Sequence, residues 1–325
     1  MRYIRPLMQV GPAIPREAVS FGLCWFTHVE ILSRAEPAQV VPVSQVTEEE
    51  RARFTAAADA PKLMGILNTT PDSFSDGGAF DTLEAASTRG QALVAAGADI
   101  LDIGGESTRP GASLVPQDVE IERTAPVIAG LRAAGVTAPI SIDTRKAAVA
   151  AAALDAGASI VNDVSGFTFD TDLAPVCAAR SVPVCVMHAQ GEPQTMQQNP
   201  TYDDVLLDVY DALAARIDML VSLGISRDRI TVDPGIGFGK TLEHNLAILR
   251  RISLFHGLGV PILLGASRKR FIGTLGNVPE AQDRAPGSVA VALAAIAQGV
   301  QIIRAHDVAE HAQAIALWRA AVAHP

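Results

Sequence analysis

Two aspartates and an asparagine stand at the ends of short apolar runs. Asp143 closes ISID, Asn162 lies in IVND and Asp233 closes ITVD. A carboxylate accepts two parallel hydrogen bonds from an amidine-like edge, and an amide offers one donor and one acceptor face. The trio therefore suits a flat heterocycle rich in N–H groups. Lys269, Arg304 and His306 follow later in the chain, in a protein of net charge −9. Arg304 and His306 are two residues apart and share a face if their segment is a strand. Cations gathered in an acidic chain point to an anionic ligand group. Plainer readings stand beside these. An aspartate after a strand can cap the next helix, and this is the reading for Asp163. Asp233 precedes Pro234, which holds it extended and favours a strand end. The run Arg268-Lys269-Arg270 can be a solvated helix start, although cations oppose the dipole there. Lys269 is assigned to the site, and Arg268 and Arg270 stay unassigned.

Other familiar chemistries are missing from the sequence. GIGFGK (235–240) resembles a phosphate loop but lacks the four-residue spacing before its Gly-Lys pair. No His/Cys group has zinc spacing, and there is no G-x-S-x-G elbow. His188 ends an apolar run, a position with many structural uses.

The elements that must carry these residues alternate. Strands are expected at 62–68, 100–104, 140–143, 160–163, 184–188, 230–233, 262–265 and 302–306. Helices are expected at 83–96, 119–134, 147–156, 172–179, 202–223, 242–251, 288–297 and 308–321. The strands read as continuous apolar runs, the pattern of parallel strands covered on both faces. Eight such units predict a (β/α)8 TIM barrel with an N-terminal extension: residues 1–60 as an appendage of unknown role and 61–325 as the barrel. The extension is expected to cover the barrel floor or an outer face. Every strand run ends in a polar cluster, and such barrels place chemistry where their strands end.

Composition narrows the class. Of 325 residues, 49% belong to the hydrophobic set and 19% are charged, which excludes wholesale disorder. The acidic balance disfavours a nucleic-acid partner. Three cysteines, Cys24, Cys177 and Cys185, give no disulfide framework and point to a reducing cytoplasm. The most apolar stretch, 285–303, is broken by Ser288, Gln298, Gly299 and Gln301, so no membrane span is expected.

At this point the strand ends form a known set. MGILNTTPDSFSDGG (64–78) and LDIGGESTRPGA (101–112) resemble the two long signatures of the dihydropteroate synthase family. SIDTRK, IVNDVSG, DPGIGFGKT, GASRKRFIG and IIRAHDV follow in that family's order. One departure is Ala147, where the family usually has proline. The resemblance implies condensation of 6-hydroxymethyl-7,8-dihydropterin diphosphate with p-aminobenzoate. It implies that Asp143, Asn162, Asp233 and Lys269 hold the pterin and that Met187, Phe238 and Gly265 line its slot. By the same resemblance Asn68, Arg304 and His306 are expected to bind diphosphate, with Asn68 also expected as a Mg²⁺ ligand. It further implies that Thr108, Arg109, Phe74 and Pro110 come from loops over p-aminobenzoate. Asp143, Asp233, Lys269 and Arg304 are the expected catalytic group. The resemblance also implies a homodimer. A pterin-binding methyltetrahydrofolate:corrinoid methyltransferase domain and a non-catalytic pterin-binding protein are the alternatives. Neither needs both a diphosphate clamp and the SFSDGG segment. On this reading Arg304→Ala loses turnover while pterin binding survives.

Overall fold

The structure is a computed structural model, and it describes residues 2–56, 61–70, 79–107, 112–191 and 195–322. Among these residues an eight-stranded parallel sheet is built from β6 (Lys62–Asn68), β7 (Ile100–Gly104), β8 (Ile140–Asp143), β9 (Ile160–Asp163), β10 (Val184–Met187), β11 (Ile230–Asp233), β12 (Leu263–Leu264) and β13 (Ile302–Ala305). Helices separate the strands: α2 (Ala79–Ala95), α3 (Gln117–Ala133), α4 (Ala147–Asp155), α5 (Leu173–Arg180), α6 (Val205–Ser222), α7 (Leu242–Arg250), α8 (Arg270–Gly276), α9 (Ala285–Ile296) and α10 (Val308–Val322). The sheet closes because β13 pairs with β6 and with β12, and Val232 of β11 bridges to Ile262. This is the expected (β/α)8 barrel.

Strand alternation sets what faces the barrel axis. Met64, Ile100, Cys185 and Leu263 pack together with Ile160 and Ile302 as an apolar plug. Two residues beyond the last five of these stand Asp102, Met187, Gly265, Asn162 and Arg304, which brings them to the next layer up. The opposite strand faces meet the helices in the main core, where Ile103, Ile142, Val161, Val186 and Val232 are fully buried. Helix starts are fixed locally. Asp204 caps α6 by accepting from the backbone N–H of Leu206 and Leu207, and Thr241 forms a capping box with His244 at α7.

The seventh barrel strand is shorter than expected, two residues rather than four. Pro261 carries no N–H, and the N–H of Ile262 donates to the side-chain oxygen of Gln301 at 2.9 Å instead of extending the ladder.

The first segment forms structure of its own. A three-stranded antiparallel sheet, β1 (Tyr3–Pro6), β4 (His28–Leu32) and β5 (Gln39–Pro42), accompanies a hairpin, β2 (Val19–Phe21) and β3 (Cys24–Phe26), and a helix, α1 (Glu48–Ala56). It has a small core of Ile4, Phe21, Phe26, Val29, Val43, Val46 and Phe54. It docks on the turns that lead into the last two barrel strands. Ser253 donates to the carbonyl of Pro6, Phe21 packs on His256 at 4.5 Å, and Cys24 donates to the carbonyl of Ile296. Tyr3 reaches Asp211 of α6. Among the described residues no helix is long and apolar enough to cross a membrane.

Candidate active site

At the carboxyl end of the barrel, Arg304 lies between two carboxylates. Its Nε–H donates to Asp102 Oδ2 at 2.6 Å, and a terminal nitrogen donates to Asp143 Oδ2 at 2.8 Å. Burial opposes the guanidinium charge, but Asp102 and Asp143 outweigh that and hold Arg304 firmly protonated. Asp102 has no exposed surface. The Asn162 amide nitrogen lies 3.4 and 3.5 Å from its two oxygens. Burial pushes the Asp143 carboxyl well above the usual range, with Arg304 pulling it down and Asp102 pushing it up.

Asp233 completes the floor from the far side. Its Oδ1 accepts from the N–H of Gly235 at 2.7 Å, and burial raises its pKa against the pull of Lys269. Lys269 donates to the carbonyl of Ile236 and sits 4.5 Å from the Phe238 ring centroid, a cation–π distance. Burial lowers Lys269 to about 8, with Asp233 opposing the fall. Between Asp233 and Arg304 lies Gly265. A Cβ there would stand 3.4 Å from Asp233 Oδ2 and 3.9 Å from Arg304 Cδ, so glycine keeps the gap flat. Met187 pairs in register with Asp233, and Asn68 with Gly104, which itself pairs with Asp143. Ser267 Oγ lies 3.1 Å from His306 Nδ1 and accepts from the His306 N–H. One rim therefore brings Asp143, Asn162, Asp233, Lys269 and Arg304 together, with Met187, Phe238, Gly265, His306 and Asn68 beside them. Phe74, Thr108, Arg109 and Pro110 lie outside the described residues.

The glycine-rich turn after β11 is a support. Lys240 Nζ lies 2.9 Å from His188 Nδ1 and donates to the carbonyls of His188 and Phe238. Burial lowers Lys240 to about 7 and His188 to about 3. Gly235 has φ +70°, and a Cβ on it would meet the His188 carbonyl oxygen at 1.9 Å. Only glycine fits this turn.

One residue differs from its sequence reading, and one that was left unassigned there gains a place. Asp163 does not cap a helix: it accepts from the N–H and hydroxyl of Ser165 and the N–H of Phe167, closing a loop turn that leads to α5. Arg268 has φ +60° and turns away into a bidentate pair with Asp307. Sequence reasoning gave no role to Asp102, although a carboxylate inside the apolar run ILDIG, on the inward face, was a visible signal. It also missed a buried ion cluster: Lys146 donates to Glu106 and Glu120 at 2.5 Å each, and Arg145 to Glu106 at 2.8 Å.

A closed barrel with a carboxylate-and-amide floor beside a cationic wall has the chemistry to receive a planar, donor-rich ring next to an anion. Residues 64–306 match the family described as pterin binding enzyme. A dihydropteroate synthase from Synechocystis sp. is 47% identical over 261 residues, 79% of this chain and 90% of that protein. The Xanthomonas albilineans dihydropteroate synthase solved with 4-aminobenzoic acid is 44% identical, with TM-score 0.77 over 82% of this chain and 95% of that one. The same enzyme solved with 7,8-dihydropteroate gives 42% identity and TM-score 0.75, again over 82% and 95%. The chain belongs to the dihydropteroate synthase family, whose members are transferases.

Proposed function

We propose that this protein joins 6-hydroxymethyl-7,8-dihydropterin diphosphate to p-aminobenzoate, forming 7,8-dihydropteroate and diphosphate. The observation that carries the reading is the Arg304 bridge, which sets an anion-binding guanidinium 2.8 Å from a pterin-binding carboxylate. The ligands of the two Xanthomonas structures, 4-aminobenzoic acid and 7,8-dihydropteroate, support the same amine substrate and the same product here.

Asp143, Asn162 and Asp233 take the N–H-rich edge of the pterin in the gap that Gly265 leaves open. Lys269 closes the slot from the Phe238 side, and Met187 lines it. Arg304 and His306 face the diphosphate. The bond from the pterin methylene to the diphosphate oxygen breaks, and its electron pair leaves with diphosphate, whose charge Arg304 and His306 stabilise. The methylene cation left behind is conjugated with the dihydropterin ring, and Asp143 and Asp233 lie where they stabilise it. The aryl amine is neutral at physiological pH. Its lone pair forms the new C–N bond, and the extra N–H proton passes to water or to the departing diphosphate. Thr108, Arg109, Phe74 and Pro110 are assigned to p-aminobenzoate from the sequence signatures alone. Exclusion of water at this stage prevents capture of the cation.

Mg²⁺ fits the donor set. Among the described residues no three His, Cys, Asp or Glu side chains form a cage. Asn68, a hard oxygen donor at the rim, would hold the ion together with diphosphate oxygens and water. When bound, the ion adds charge neutralisation at the leaving group. We assign residues 61–325 as the catalytic unit and 1–60 as its accessory unit, and we take the working form to be a homodimer. The three buried free thiols support a reducing, cytoplasmic setting. The test is diphosphate release from the pterin diphosphate with and without p-aminobenzoate. Release that depends on the amine, with dihydropteroate formed in equal amount, is expected; release that ignores the amine, or none, overturns the reading.

A further inference from the structure

We propose that Asp102 is a positioning residue for this reaction, holding Arg304 toward the leaving diphosphate and fixing which face of the Asn162 amide meets the pterin. The inference rests on the reading above and deepens it.

Arg304 has two tethers, and they are not equivalent. Asp143 is partly open at the rim, so a bound pterin competes for its oxygens. Asp102 sits one layer above the apolar plug, without exposed surface, and no substrate reaches it. It alone can hold the guanidinium throughout the cycle. It takes Nε–H, leaving the outer edge of the fork to turn toward the mouth, where bidentate recognition of phosphate oxygens needs it. Asp102 also faces the Asn162 amide nitrogen. A carboxylate only accepts, so it selects the orientation with –NH₂ inward. The Asn162 carbonyl oxygen is left for a ring N–H. One buried charge thus orients a residue of each subsite.

The first test is Asp102→Asn, which keeps the shape and removes the charge. The kcat should fall about tenfold to hundredfold, the cost of a misaligned reacting group, with a smaller change in KM for the pterin diphosphate. The acid limb of the kcat/KM profile should also move to lower pH. Asp143 feels Arg304 from β13, Asp102 from β7, Glu120 from α3 and Asp163 from β9. Removing the Asp102 charge removes one influence that raises it. A packing role alone lowers the melting temperature and leaves that limb in place. The second test is Arg304→Lys, which keeps a cation but has no Nε–H for Asp102. It should show a similar kcat loss, and adding Asp102→Asn to it should cost less than about twofold more, because coupled sites are not additive. If Asp102→Asn does not fold, Arg304→Lys with wild-type kcat overturns the proposal. So does a folded Asp102→Asn with unchanged kcat and pH profile, or full additivity of the two changes. A wild-type enzyme without amine-dependent turnover defeats the functional reading instead, so the two failures are distinguishable.

Discussion

Arg304→Ala is expected to damage pterin binding as well as turnover, and to do so in a pH-dependent way. The sequence divides the site into a pterin floor and a diphosphate wall. The structure joins them through the 2.8 Å bond from Arg304 to Asp143. An arginine beside an aspartate lowers the carboxyl pKa by about 1–3. Asp143 already titrates high because it is buried, so losing Arg304 leaves it largely protonated at neutral pH. A neutral carboxyl cannot accept a parallel pair of N–H bonds, one at each oxygen, because one oxygen now carries the proton. Every rise of about one in the Asp143 pKa then weakens binding of a pterin lacking the diphosphate by about tenfold near pH 7, and affinity should recover toward roughly pH 9 as the carboxyl ionises again. The same variant strips Asp102, with no exposed surface, of its cation. An unpaired buried charge costs about 3–5 kcal/mol, or a melting-temperature loss on the order of 6–10 °C at roughly 2 °C per kcal/mol. Calorimetric titration with the unphosphorylated pterin from about pH 6 to pH 9 measures the first effect, and a thermal melt measures the second. A variant that binds the pterin as tightly as wild type, with no pH dependence over that range, would refute the coupling of floor to wall.

Lys146→Met leaves Glu106 and Glu120 buried with only Arg145 to balance them; a loss of about 3–5 kcal/mol is expected by chemical denaturation, and Glu120→Leu in that background should restore part of it. Lys240 titrates near 7 in the fold against 10.5 in the free side chain, with burial the main cause. The unfolded chain therefore binds more protons between these values, so stability should rise with pH across that window, and Lys240→Met should flatten the rise in the denaturant midpoint. Gly235→Ala is expected to lose most pterin binding in a titration, because its Cβ collides with the His188 carbonyl oxygen 1.9 Å away at φ +70°.

Most of the barrel was legible because its signal is local and repeated. Apolar runs such as ILDIG and VCVM are buried along their whole length, and their ends matched the polar clusters of the site. What escaped depends on partners distant in sequence. Asp102 had no reading in the sequence because the residue that explains it, Arg304, lies 202 residues further along the chain and donates to it only in the fold. Lys269 was assigned to the site from its place in a basic run, but the place of its neighbour Arg268 stayed open, because its left-handed backbone and its pairing with Asp307 leave no mark in that run. The small N-terminal sheet was unreadable because strands of three to five residues carry too little alternation to distinguish them from loops.

The barrel is not equally strong all the way round. Its eighth seam is a two-residue strand and one bridge, Val232 to Ile262, and that seam runs up between Asp233 and Gly265, the walls of the ring-binding gap. The N-terminal unit grips the segment just before this seam, through Pro6 to Ser253 and Phe21 to His256. Its contacts therefore brace, from outside, the barrel joint that separates Asp233 from Gly265.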